Sequence, residues 1–213
     1  MDLEWWPLFG LRIRTPRLEL RPLTDDDLDA ECTLIGGGIH PPGEMPFLFP
    51  WTDAPRPQLQ RDALRFHWRT RAEWTPQAWH LPFGVWEDGQ LVGQQDLVAS
   101  DFTVRRVVSS GSWVGMAHQG RGIGTDMRGA VLHFAFAGLG AERAETDAFA
   151  GNTRSLGVTA NNGYEPNGER VNVRRGEPSI TQHFVLTRER WEGRRRDDIT
   201  IEGLEPARGM FGL

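Results

Sequence analysis

The sequence predicts a mixed α/β domain, and three features carry that expectation. A strand-like alternation opens at residue 12, a strand–turn–strand unit is centred on Asp88-Gly89, and a Gly-rich turn at residues 120–124 joins a strand to an amphipathic helix. Residues 12–21 alternate Leu or Ile with Arg or Glu, as a half-buried strand does, and Pro22 ends the run. Thr24 followed three positions later by Asp27 resembles a capping box. The acidic run from Asp25 suits the positive end of a helix that continues through Leu34 and stops at Gly36, Gly37 and Gly38.

Residues 36–57 are rich in Gly and Pro yet hold Met45, Phe47, Leu48, Phe49 and Trp51. Such a loop either closes over a ligand or covers the core, and the sequence leaves both open. Residues 59–74 read as a second helix with Leu64, Phe66 and Trp68 on it. Residues 80–86 and 91–100 are strands about the Asp88-Gly89 hairpin, and 104–116 is a further strand. The helix at 122–139 sets Ile123, Met127, Val131 and Phe134 on one face, with Gly138 and Gly140 at its end. A strand at 142–148, a helix at 152–162 and two strands ending near Arg190 complete the order β α α β β β α β α β β. The expected division is an N-terminal extension at 1–11, one domain at 12–190 and a tail at 191–213.

A chain of 213 residues is long enough for one hydrophobic core and short for two. Nine Trp, eleven Phe and an apolar fraction of 38% belong to a folded protein. The net charge of −5 gives no general attraction to phosphate backbones, and the run Arg194, Arg195, Arg196 is offset by Asp197 and Asp198; no direct nucleic-acid partner is expected. All 24 basic residues are Arg, which excludes a Schiff-base lysine and a Walker-type phosphate loop. The single cysteine, Cys32, cannot form an internal disulfide and reads as a small buried hydrophobe. No His, Cys or carboxylate cluster has metal-ligand spacing, so no metal is expected. Residues 1–10 lack a basic region and a long apolar stretch, and no run approaches the ~18 apolar residues of a membrane helix. A cytoplasmic chain without a membrane partner is the expectation.

The chemistry concentrates in Trp113-Val114-Gly115-Met116-Ala117-His118-Gln119-Gly120-Arg121-Gly122-Ile123-Gly124-Thr125. A strand feeding a Gly-rich turn that opens a helix presents free amides at the positive end of the helix dipole, and a diphosphate suits that place. A dinucleotide fingerprint fails in both registers, because its third glycine falls on Thr125 or on Met127. A turn packed against a neighbouring helix is the structural alternative.

Residues Gln119 to Gly124 resemble the Gln/Arg-x-x-Gly-x-Gly/Ala motif of the GCN5-related N-acetyltransferase (GNAT) family. Asn152-Thr153-Arg154-Ser155, with Asn161-Asn162-Gly163-Tyr164 beyond it, is similar to that family's Asn-x-x-Ser/Ala helix. Thr15 to Thr24 is similar to the opening strand of the branch that acetylates ribosomal-protein N-termini. Together the motifs span residues 12–190 in the family's order. The resemblance implies a mostly antiparallel, twisted sheet with flanking helices, whose fourth and fifth strands splay apart, here near Trp113 and near residues 142–148. It implies acetyl-CoA or another acyl-CoA as co-substrate. Gln119, Gly120, Arg121, Gly122, Gly124 and Thr125 would hold the diphosphate. Trp113 and Val114 would lie beside the thioester, and Asn152 would face the pantetheine arm.

Amine attack on a thioester needs a neutral nucleophile, an oxyanion donor and a proton for the leaving thiolate. Many family members supply that proton from a Tyr seven positions after the helix Asn, which is Thr159 here. The resembling branch implies Ser155 instead. Asp96, Asp101, Glu145, Asp147, His118, His40 and His80 are candidate bases that the sequence does not separate. The acceptor is expected to be an amine of a protein N-terminus or of a small molecule, and family members often pair as dimers. Thr159, and Asn161 where the family has Lys, also fit a non-catalytic CoA-binding module.

Overall fold

The computed structural model describes residues 2–213. After a helical turn at Pro7–Gly10 come β1 (Arg12–Arg14), β2 (Leu18–Pro22), α1 (Leu28–Gly36), α2 (Gln58–Ala72), β3 (Ala78–Glu87) and β4 (Gln90–Ser100). The chain continues through α3 (Phe102–Arg105), β5 (Val107–Val114), α4 (Ile123–His133), β6 (Arg143–Phe149) and α5 (Thr153–Asn161). It ends with β7 (Glu165–Arg174), β8 (Glu177–Thr187), α6 (Arg188–Glu192), β9 (Thr200–Glu202) and α7 (Leu204–Ala207). The strands form one sheet in the order β7-β8-β6-β5-β4-β3-β2-β1-β9. Every neighbouring pair is antiparallel except β5 with β6. The mixed α/β class and the mostly antiparallel sheet are those expected from the sequence.

The alternation at 12–21 belongs to two strands rather than one. Pro16 has no N–H to give a neighbour. Thr15 Oγ1 instead accepts the amides of Arg17 at 3.2 Å and Leu18 at 2.9 Å, which turns the chain back so that Ile13 faces Leu20. The Asp88-Gly89 hairpin forms as read, with a register shift at Val85/Trp86.

One face of the sheet packs on α4. Leu20, Leu81, Phe83, Val85, Leu97 and Val108 meet Ile123, Met127, Val131 and Phe134, all buried, and the Phe83 and Phe134 rings cross edge to face at 5.7 Å. The opposite face carries α1 and α2, with a smaller cluster of Ile35, Ile39, Leu59 and Ala63. Both chain ends are packed into the domain. Leu8 and Leu11 are buried, β9 pairs with β1, Trp191 stacks on Phe136 at 5.1 Å, and Phe211 is fully buried against Trp79. Each end contributes isolated anchors rather than a periodic face, so the residue pattern alone does not tie it to the domain.

The capping box is present. Asp27 accepts the Thr24 amide at 2.8 Å and is gripped by both terminal nitrogens of Arg21 at 2.7 and 2.8 Å. Burial pushes this carboxyl up, but Arg21 and Thr24 outweigh it and bring it down to about 2. A folded pKa below the unfolded one stabilises above the ordinary carboxylate range and loses that contribution as pH falls toward 2. Asp27→Asn should therefore lower the melting temperature at pH 7 and flatten its fall between about pH 4 and 2, read by circular dichroism melts. An unchanged acid limb would rule Asp27 out as its source.

Candidate active site

Strands β5 and β6 begin as a parallel pair and then separate. Their rungs are Val107 with Arg143, Val108 with Ala144 and Ser109 with Glu145, and they stop there. Strand β5 stays paired with β4 as far as Val114, and β6 stays paired with β8 as far as Phe149. The result is a V between two strands held on their outer sides. A cavity of about 400 Å³ opens at the root of the V, from Ser109 and Ser110 past Thr146 and Asp147 of β6 to Asn167 of β7 and His183 of β8.

Beyond the V the chain makes a turn at Met116–His118 and reaches Gly120 at φ +75° and Gly122 at φ +80° before α4 begins. Both glycines stand in left-handed backbone that a side chain resists. The Gln119 amide is spent on Met116 O at 3.4 Å and that of Thr125 on Gly122 O at 3.2 Å. Among the described residues, the amides of Gly120, Arg121, Gly122, Ile123 and Gly124 have no protein acceptor. They form an anion cradle at the N-terminus of α4. A Cβ at Gly120 would have no neighbour within 4 Å, so the backbone there is open to a ligand.

The side chains of this segment shape the turn from behind. Gln119 Nε2 donates to Ile39 O at 2.6 Å and to Val114 O at 2.8 Å, tying the end of β5 to the loop after α1. Arg121 pairs with Glu87 at 2.8 Å, and Arg17 spans Glu87 and the Arg121 carbonyl at 2.6 and 2.7 Å. The Arg17 hydrogen bond, helped by the Arg121 charge, holds the Glu87 carboxyl below its ordinary range against the effect of burial. Gly124 answers to the structural alternative raised by the sequence: a Cβ there would lie 3.2 Å from Val158 of α5. Asn162 bonds Thr125 O at 3.3 Å across the same contact.

Trp113 and Val114 leave β5 on opposite faces. Trp113 packs with the cluster on α1 and α2 and lies 6.2 Å from Trp51, whereas Val114 packs on the α4 side. Phe47 and Trp51 of the 36–57 loop cover that cluster, while Leu48 and Phe49 turn to solvent. Arg174 donates to Met45 O and Arg175 pairs with Asp53, so the β7–β8 hairpin pins the loop from the far side.

Asn152 caps α5, its side chain accepting the Ser155 amide at 3.1 Å. The Ser155 hydroxyl has no hydrogen-bond partner among the described residues. Thr159 is 2% exposed, so the packing as it stands has no room for a Tyr there. Cys32 is half-buried, and burial, then Glu31 and Asp29, push its thiol up, which keeps it protonated.

At the V, Arg128 carries no signal in the sequence, and Tyr164 enters it only as the last residue of the Asn161-Asn162-Gly163-Tyr164 segment. Arg128, on the core side of α4 and 3% exposed, bridges three strands: Gln95 Oε1 of β4 at 3.3 Å, Ser112 Oγ of β5 at 3.1 Å and Thr146 Oγ1 of β6 at 3.0 Å. Its acceptors are all neutral. Tyr164, the only tyrosine of the chain, is buried with its hydroxyl 3.4 Å from Ser110 Oγ. Among the described residues, no group of three or more His, Cys, Asp or Glu could hold a metal ion, and no helix is long and apolar enough to cross a membrane.

The sheet therefore parts beside a run of free amides at the start of α4. The acetyltransferase (GNAT) domain profile matches residues 17–165, and the chain belongs to that family of N-acetyltransferases. Solved structures share its fold. Mycobacterium smegmatis RimJ in complex with CoA-disulfide superposes with a TM-score of 0.67 at 22% identity, covering 86% of this chain and 89% of that one. The RimL ribosomal L7/L12 alpha-N-protein acetyltransferase in complex with coenzyme A gives 0.65 at 14% identity over 81% and 95%. The microcin C7 self-immunity acetyltransferase MccE in complex with acetyl-CoA and AMP gives 0.63 at 14% over 81% and 93%.

Proposed function

We propose that the chain transfers an acetyl group, or another small acyl such as succinyl, from a coenzyme A thioester to a primary amine by direct attack in a ternary complex. The observation that carries this is the run of unspent amides from Gly120 to Gly124 opening beside the parted strands. In this reading the cradle binds the diphosphate and the pantetheine arm enters the V. The β5 backbone beside Trp113 and Val114 then meets the thioester. Gln119 and Thr125 act by fixing the turn, and Arg121 by anchoring it to Glu87. Asn152 orders the first turn of α5, and the Ser155 hydroxyl protonates the departing thiolate. The acceptor is an amine of a protein N-terminus or of a small molecule.

Isothermal titration with coenzyme A should show one site, and absence of binding defeats the proposal. Thiol release from acetyl-CoA with a panel of primary amines then separates transfer from a second reading, a CoA-binding module without turnover. Thr159, buried where the resembling motif has Tyr, favours that second reading. Exposed Val171 and Val173 on edge strand β7 favour a second copy of the chain as partner. The single unpaired cysteine suits the cytoplasm.

A further inference from the structure

The proton taken from the acceptor amine needs a destination, and one polar group on the sheet is built for it. Asp96 on β4 stands directly opposite Gly111 on β5, and strand alternation puts the Asp96 side chain on the face that carries α1 and α2, since its neighbour Leu97 points to the α4 side. Gly111 is exposed, and a Cβ placed there would meet nothing within 4 Å, so the surface beside Asp96 is open where β5 has just left β6. The carboxylate is fixed from behind. Gln94 Nε2 donates to Asp96 Oδ1 at 2.7 Å, and His80 Nε2 of β3 lies 3.1 Å from Asp96 Oδ2, within ion-pair distance but off the line of a straight hydrogen bond. Phe66 of α2 meets the His80 ring edge to face at 5.1 Å. Reading across the sheet, the order is His80, Asp96, the open ground over Gly111, and then the V.

We propose that Asp96 is the group that receives the acceptor amine and takes its proton, with His80 as the positioning residue that stores that proton. This assignment rests on the acyl-transfer reading above. The acceptor arrives as an ammonium ion against Asp96. One proton passes from nitrogen to the carboxylate and on to His80, which returns it to solvent. The neutral nitrogen attacks the thioester carbon, forming the C–N bond, and the C–S bond breaks. The nitrogen then releases its second surplus proton, which the Ser155 hydroxyl relays to the departing sulfur, so that amide, free thiol and one proton are produced.

The other acids near the V are placed less well for this. Glu145 lies 3.9 Å from Arg143, and Asp147 is exposed on β6, across the gap. Asp101 precedes α3 with its backbone left-handed, beyond the end of β4.

The test is turnover by Asp96→Asn, which keeps shape and removes the charge. With the best amine of a panel comprising a peptide N-terminus, a polyamine and a lysine side chain, kcat should fall on the order of 100-fold. The affinity for coenzyme A by isothermal titration should stay within about twofold, and His80→Gln should lose about tenfold in kcat. Hydroxylamine, neutral at about pH 7, should be acetylated by Asp96→Asn and the unaltered chain at similar rates once the uncatalysed reaction is subtracted. Equal losses with both nucleophiles would mark structural damage and overturn the assignment. So would undiminished turnover of the basic amine, or a loss confined to Asp147→Asn. If the unaltered chain binds no coenzyme A or releases no thiol, the acyl-transfer reading itself fails and this one with it.

Discussion

Replacing Gly122 by valine should abolish measurable coenzyme A binding while leaving the domain folded. Gly122 sits at φ +80° as the residue before α4, and among the described residues its one neighbour within 4 Å on the Cβ side is an Arg17 nitrogen at 3.7 Å. Space is therefore not the obstacle; the backbone is. A β-branched residue held at positive φ costs on the order of 1–3 kcal/mol, and the turn relieves that strain by rotating its peptides. Rotation re-aims the amides of Gly120 to Gly124, which are left without a protein acceptor in the turn as it stands. Because the turn is tied down by Gln119, Arg17 and Arg121 rather than by Gly122 itself, the rest of the fold should melt within a few degrees of the unaltered chain. Isothermal titration and a thermal melt read the two halves of this prediction. Unchanged affinity would show that no phosphate rests on this turn.

Arg128→Met should weaken coenzyme A binding by about tenfold or more at little cost in stability. Taking a guanidinium out of water costs several kcal/mol, and the three bonds it makes to neutral acceptors return an amount of the same order. An apolar side chain of similar length avoids both terms, so the melting temperature should change little. The geometry should not survive as well. Arg128 spans β4, β5 and β6 at the level where the β5–β6 rungs end, and its bonds to Ser112 and Thr146 fix the spacing of the two arms of the V. Without it, Thr146 keeps its bond to Ser110 O at 3.0 Å, and that contact draws the arms together. A large drop in melting temperature with affinity intact would instead make Arg128 a simple core residue.

What could be read before folding, and what could not, divides along a physical line. The Gly-rich turn, the Asp88-Gly89 hairpin and the Thr24/Asp27 cap were legible because each depends on neighbours a few positions apart, whose backbone demands restrict residue type. The separation of β1 from β2 was half legible, since Pro16 sat inside an otherwise regular alternation. Arg128 was not, because on α4 it occupies a helical position that the pattern alone would give to solvent; only the parting of two strands supplies acceptors for it. Nor was the inward turn of Gln119, whose partners Ile39 and Val114 belong to separate elements. Asp96 and His80 stood among seven candidate bases, and strand register, which sequence does not encode locally, is what sets one beside the other.

The parted strands also have a consequence for how the free protein meets solvent. Backbone amides of β5 past Ser109 and of β6 past Glu145 that point into the V have lost their cross-strand acceptors, though both strands lie deep in the sheet. In deuterated buffer they should exchange like loop amides, in contrast to protected neighbours on β4 and β8. Saturating coenzyme A should slow that exchange on the β5 arm, giving mass spectrometry a footprint of the bound arm that needs neither an acceptor nor turnover.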